Sequence, residues 1–369
     1  MKPFCIYFPQ FYPTKVNDDV WGAGFTDWVL VANANMHKLW NRRAPKRGFY
    51  DGSDGTVHIS QINEMLQAGL GGVAVYHYWF FNHQELSAFE ETLMSTERET
   101  NFPWFLIWAT ESWSKRWIGD GTEIITLSAK PSDAEIDQHC AYLIKCFSTP
   151  NYYQINGRPL FVFYNLAHFS NPENVVKRYR STFFRHGVDP IIGQFVKNPF
   201  DAVYAKFVDI NYLFEPRLLF GFNNVGKSAL SKKIFDLTKA IFGKDFGQRL
   251  LVWSDKFKKQ SHTYSAEEYI SYRNSDERLA FVSKFSSSVQ EVISPGWNNI
   301  PRHGNRFTAL ADLSPDQFVS IVLDAAEKNH NFPPLVNAWN EWSEGASIEP
   351  CVYMGSQYLQ ALSKCLVYK

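Results

Sequence analysis

The chain has 369 residues, 45% of them hydrophobic, enough to bury one large core or two modest ones. Lysine plus arginine and aspartate plus glutamate both number 37, so the net charge is zero, which argues against a nucleic acid or an acidic membrane held by bulk charge. Aromatic residues reach 17%, a high share, part of which is expected to line a site.

Strand-like residues begin at Phe4, directly after Met1-Lys2-Pro3, with no leader-like sequence before them. No apolar run approaches the roughly 18 residues of a membrane span. The expectation is a protein that stays in the cytoplasm. Cys5, Cys140, Cys146, Cys351 and Cys365 form no CxxC pair and no cluster with histidine at zinc spacing, so reduced thiols are expected and no metal or cofactor is predicted.

In chain order, strands are predicted at Phe4–Phe8, Gly72–Trp79, Trp104–Trp108, Leu160–Tyr164, Ile191–Phe195, Phe207–Phe214, Leu279–Phe285 and Leu335–Trp339. Between them, amphipathic spacing predicts helices at Ile59–Ala68, Asp133–Phe147, Pro172–Arg185, Ala266–Arg273 and Pro315–Lys328. Ser132 and Ser314 stand where N-caps belong. This alternation predicts an α/β fold, a (β/α)8 TIM barrel over a single domain, 1–369. A doubly wound open sheet is the alternative. The barrel is preferred because polar and aromatic clusters follow the C-terminal ends of the strands, where a barrel would gather them at one mouth.

Two segments are long for loops. Pro13–Ser60 is expected to fold over the mouth, and residues 217–262 read as a helical insertion between strands six and seven, with a helix at Ser228–Phe242. The basic run Lys256-Phe257-Lys258-Lys259 in that insertion reads as a solvated helix face, with peripheral membrane contact as the minority reading.

The chemistry concentrates near the end. Val336-Asn337-Ala338-Trp339-Asn340-Glu341-Trp342-Ser343-Glu344-Gly345 reads as a buried strand leading into two glutamates three positions apart, flanked by indoles. Paired carboxylates beside aromatic faces suit glycosidic-bond chemistry, in which one carboxyl serves the leaving oxygen and sugar faces stack on tryptophan. The plain alternative is a helix N-terminus that favours acidic residues. Glu349, just beyond, is a third carboxylate or a loop cap. Trp108 through Glu111, Trp113, Arg116 and Trp117 repeat the same chemistry after the third strand, and Gln10 follows the first. In Tyr76-His77-Tyr78-Trp79, His77 and Trp79 face one way and Tyr76 and Tyr78 the other. A Pro/Gly-bounded loop presents Trp297, Asn298 and Arg302. Gly69-Leu70-Gly71-Gly72-Val73-Ala74 matches a loose dinucleotide pattern, but it precedes a strand and opens no helix, so that reading fails.

These motifs resemble the WbsX-type proteins, relatives of the family 99 endo-α-mannosidases. The resemblance rests on Phe25-Thr26-Asp27-Trp28, Tyr76-His77-Tyr78-Trp79-Phe80, the Trp108–Trp117 run and, above all, Asn337–Pro350. It departs from the family at Asp27, where relatives carry Glu, at Thr110 and Ser112 in place of Asn, at Lys115 in place of Arg, and at Cys351 in place of Asp. It implies a barrel acting on an oligo- or polysaccharide, lipid-linked forms included, in surface-polysaccharide (O-antigen or capsule) biosynthesis, without a metal and with retention of configuration. Glu341 would assist the substrate's own 2-hydroxyl as base, and Glu344 would be the general acid. Gln10, Trp28, His77, Tyr78, Trp79, Trp108, Glu111, Trp113, Arg116, Trp117, Trp297, Asn298, Arg302, Asn340, Trp342 and Glu349 are the expected substrate contacts. Alternatives are a glycosyltransferase or transglycosylase and a non-catalytic glycan-binding protein.

Overall fold

The protein is described by a computed structural model covering residues 1–34, 37, 40, 43–95, 101–114, 123–223 and 261–367. Its centre is a closed parallel barrel of eight strands among the described residues: β1 (Phe4–Tyr7), β2 (Gly72–Trp79), β3 (Trp104–Trp108), β4 (Arg158–Phe163), β5 (Ile191–Val196), β6 (Ile210–Phe214), β7 (Ser288–Ile293) and β8 (Leu335–Val336). Each pairs in parallel with the next, and β8 returns to β1 through Phe4 opposite Leu335, closing the cylinder. The sheet therefore has no free edge. β1, β2, β3 and β5 are buried along their whole length, as strands covered on both faces must be. A Cβ on Gly72 would collide with the Phe4 ring and the Pro103 carbonyl, so only glycine lets β1 and β2 approach there.

Helices α1 (Lys15–Trp21) and α2 (Asp27–Ala34) lie in the long first loop; α3 (Gly55–Gln67), α4 (Ala88–Ser95), α5 (Asp133–Phe147), α6 (Pro172–Arg185), α7 (Ala266–Arg273), α8 (Asp276–Val282), α9 (Ile300–His303), α10 (Pro315–Lys328) and α11 (Gln357–Leu366) follow. Their starts are chemically marked. Ser132, Ser265 and Ser314 each form a reciprocal capping box with Glu135, Glu268 and Gln317, satisfying donors that a helix start leaves unpaired. The predicted spans of α5, α6, α7 and α10 coincide with the observed ones.

One strand was misplaced. Leu279–Phe285 is not β7; its first part forms α8, capped by Ser275, with Arg278 and Phe281 buried at helical spacing and Leu279 turned to solvent. The true β7 carries Gln290 and Glu291, whose side chains are satisfied by the Phe332 carbonyl and by two arginines. A buried ion cluster thus disguised a core strand as polar. No helix among the described residues is long and apolar enough to cross a membrane. Residues 224–260, which hold the expected helix Ser228–Phe242 and the run Lys256–Lys259, lie outside the described residues, as do Arg116 and Trp117.

Candidate active site

The C-terminal ends of the strands surround a cleft of about 550 Å³. Seven strands supply its lining through the residues that follow or end them: Phe8 and Gln10 after β1, Tyr76 and Tyr78 from β2, Glu111 and Trp113 after β3, Tyr164 and Asn165 after β4, Arg217 after β6, Arg302 after β7, and Glu341 and Glu344 after β8.

The Glu341/Glu344 segment leaves β8 as a tight turn. Trp339 N–H donates to the Ile6 carbonyl (2.7 Å), holding the chain beside β1, and the Asn340 amide clasps both the N–H and the carbonyl of Phe8 (2.8 and 2.9 Å). A single 3-10 turn, Trp342–Glu344, ends at Gly345 in the left-handed conformation (φ 62°), where a Cβ would also press on Asn298 at 3.1 Å. The acidic residues do not open a longer helix.

Arg302 joins the two carboxylates. Its Nη2 donates to Glu341 Oε1 (2.8 Å), its Nη1 to Glu344 Oε1 (2.5 Å), and the buried Asp27 carboxylate lies 3.8 Å from Nη2. Three carboxylates thus face one guanidinium in a nearly closed space. Burial pushes the Glu341 carboxyl well above its ordinary range; Arg302 opposes this, while the charges of Glu344 and Asp27 reinforce it. Asp27 is raised for the same first reason, again against the pull of Arg302. Arg302 itself is desolvated, yet Glu344, Glu341 and Asp27 more than offset that and hold its proton firmly.

The opposite wall has the reverse balance. Lys197, just past β5, donates to Glu111 Oε1 (2.9 Å) and sits 3.9 Å above the Tyr164 ring. Asn165 Nδ2 reaches the same carboxylate oxygen (3.3 Å), and Arg217 Nη1 donates to the Tyr164 hydroxyl (3.2 Å). Desolvation works against the charge of Glu111, but Lys197, Arg217 and the Asn165 amide outweigh it and hold the carboxyl below its usual range. Glu111 therefore stays ionised and is a poor proton donor.

A family profile described as Glycosyltransferase WbsX matches residues 3–362. The chain belongs to the WbsX family. Among curated relatives, the uncharacterized protein WxcX of Xanthomonas campestris pv. campestris is 25% identical over 376 aligned positions, covering 98% of this chain and 49% of that protein. This WbsX chain thus spans about half the length of the curated relatives it matches. Among solved structures, the GH99 endo-α-mannosidase from Bacteroides thetaiotaomicron superposes with a TM-score of 0.56 at 13% identity, covering 100% of this chain and 95% of that one. A glycoside hydrolase-like protein superposes with a TM-score of 0.56 at 14% identity, covering 98% and 93%. At these identities the likeness establishes the fold, a (β/α)8 barrel.

Of the residues singled out from the WbsX chain's sequence, Gln10, Tyr78, Glu111, Trp113, Arg302, Glu341 and Glu344 line the cleft. Others are placed elsewhere. His77, Trp79 and Trp108 point outward between the barrel and α5: His77 Nδ1 meets Glu90 (2.9 Å), its Nε2 meets His139 Nε2 (3.1 Å), and Trp108 Nε1 donates to the Trp79 carbonyl (3.0 Å). The strand alternation was read correctly, but the tyrosine face is the one turned to the cleft. Trp28 stacks on Phe49 and donates to the Tyr50 carbonyl, and Trp297 packs edge-on against Phe214. Asn298 accepts from the Ile300 N–H at the start of α9, and Asn340 ties β1 to the end of β8.

Trp342 and Glu349 lie behind the cleft wall. Glu349 is fully buried and accepts from Trp342 Nε1 (3.0 Å), Tyr50 (3.0 Å) and Gln61 (2.9 Å), with Arg47 at 3.1 Å. Burial pushes its carboxyl up to about 7, even against these donors. It is a brace for the Glu341–Glu344 turn and makes no part of the cleft lining. Sequence reasoning missed Tyr76, Tyr164 and Arg217, which line the cleft, and Asp27 and Lys197, which meet its charged side chains. Asp27 and Tyr76 lie inside quoted motifs, so position alone could have flagged them. Lys197 and Arg217 carried no local signal. Among the described residues, no group of three or more His, Cys, Asp or Glu is arranged to hold a metal.

Proposed function

We propose that the chain is a glycan-active enzyme of surface-polysaccharide biosynthesis that breaks an α-glycosidic bond with retention, using Glu341 and Glu344. The observation that carries this is the single Arg302 guanidinium holding both carboxylates at the barrel mouth. In the reading implied by the family, Glu341 takes the proton of the sugar's 2-hydroxyl while that oxygen attacks the anomeric carbon. Glu344 protonates the departing oxygen and then helps water open the 1,2-anhydro sugar.

The electrostatics of the free cleft favour the proton on Glu341, the reverse of that assignment. A 2-hydroxyl that donates to Glu341 beside Arg302 adds a second hydrogen bond to the carboxylate and acts against the effect of burial. A raised intrinsic pKa then makes Glu341 the stronger base. Trp21 and Trp113, on the cleft wall, supply stacking faces for sugar rings.

A second reading is favoured by the family's description as a glycosyltransferase: the same intermediate is resolved by a sugar hydroxyl in place of water. Mass spectrometry of the source organism's lipid-linked or free surface glycan separates the two. Shorter fragments from wild type but not from Glu344→Gln, without nucleotide sugar, support the hydrolase. A product heavier by one sugar, formed only with a donor, supports the transferase. Glycan binding without any product supports neither and leaves a lectin.

A further inference from the structure

We propose that the wall of the cleft facing the glutamate pair is an anion subsite, so that the glycan handled here carries a carboxylate or phosphate on a sugar next to the bond acted on. The inference rests on the proposed glycan-active reading and adds the substrate's charge class.

Two cations, Lys197 and Arg217, converge on the Tyr164 ring from the ends of β5 and β6, against one carboxylate, Glu111. Glu111 spends Oε1 on Lys197 and Asn165, which neutralises one cation. Arg217 feels Glu344 and Glu111 at a distance, but its hydrogen bond goes to the neutral Tyr164 phenol, and its side chain is exposed on the cleft that it lines. A planar guanidinium on a cleft wall, with one N–H given to a phenol, is suited to grip two oxygens of one anionic group. Lys197, held over the ring, adds a second point charge to this wall.

The position has a consequence for binding. Across the cleft the Arg302 guanidinium is already held by Glu341 and Glu344, so an anionic sugar finds its cation on the Arg217 side. The two walls together would orient an acidic glycan along one direction. A neutral glycan would gain little from either charge.

The test uses purified wild type, Arg217→Gln, Arg217→Lys and Glu344→Gln. Each is titrated by saturation-transfer NMR with matched α-linked disaccharides: neutral, glucuronate-bearing and 6-phosphorylated. Wild type is expected to bind at least one acidic disaccharide about tenfold more tightly than the neutral one, as one good charge-assisted contact would give. Preference for glucuronate assigns a uronic acid, and preference for the phosphorylated sugar assigns a phosphosugar. Arg217→Gln is expected to erase the preference and Arg217→Lys to retain part of it, while Glu344→Gln keeps it. Equal binding of neutral and acidic sugars, a preference that survives Arg217→Gln, or no binding of either acidic sugar at millimolar concentration overturns the proposal. If Glu344→Gln still turns over glycan while Arg217→Gln loses the preference, the catalytic assignment falls and the anion subsite stands.

Discussion

The two walls of the cleft solve the problem of buried charge in different ways. The wall built from β1, β7 and β8 packs Asp27, Glu341 and Glu344 around Arg302, with the arginine side chain only 11% exposed. The wall built from β3 to β6 places Lys197 and Arg217 around Glu111, whose side chain is 51% exposed. Water reaches Glu111 in the second group, although Lys197 at 10% is as enclosed as Arg302, and hardly reaches the carboxylates of the first. The difference teaches where proton chemistry belongs: carboxylates enclosed around one cation are raised, as Asp27 and Glu341 are, whereas cations around a half-exposed carboxylate keep Glu111 ionised and suit binding.

The largest effect should come from the enclosed wall. Glu344→Gln is expected to lower turnover of the native glycan by about 10²–10⁴-fold, the usual share of a positioned general acid. An unchanged rate would remove Glu344 from the acid role and leave the two walls without a functional contrast.

Next is the cation that holds the acidic wall together. Arg302→Met strands three carboxylates in a buried space and should cost about 3–5 kcal/mol in urea unfolding, as loss of one partner of a buried ion group does. Asp27 and Glu341 already have raised pKa values, so the folded state binds more protons than the unfolded chain. The penalty should therefore shrink as pH falls toward about 4.5 and grow above it. A pH-independent loss would mean that Arg302 acts by packing.

Glu349 extends the test to the brace behind that wall. Its carboxyl moves from 4.5 to about 7 on folding, so the group favours the folded state at low pH and opposes it as pH rises through this window. The swing should be roughly 3 kcal/mol between pH 4.5 and 7.5, and Glu349→Gln should flatten it. Unfolding curves at both pH values, with the slope unchanged in the variant, would move the titration elsewhere.

The smallest effect belongs to the open wall. Lys197→Met leaves Glu111 half in water, so its cost in stability should be about 1 kcal/mol or less. A loss matching that of Arg302→Met would abolish the distinction between the walls.

Much of this was legible in residue order. Serine caps followed three positions on by Glu or Gln set the starts of α5, α7 and α10, because those contacts are local. The alternation of short apolar runs with amphipathic stretches gave the barrel, and the Asn337–Pro350 motif gave the glutamate turn. β7 was not legible, because Gln290 and Glu291 look exposed until Arg273 and Arg278 arrive from α7 and α8. Nor were the roles of the indoles. Trp28, Trp108 and Trp342 each find a buried acceptor for Nε1, so their large rings are worth more inside the walls than on them.

Sequence by itself determined the local terms: helix starts, strand periodicity and the two glutamates on one turn, since each depends on residues a few positions apart. Tertiary structure alone decided the charge of the cleft. Arg302 meets Glu341 across 39 positions and Lys197 meets Glu111 across 86. A pKa or a binding preference depends on distance in space and on burial, and only barrel closure sets either one.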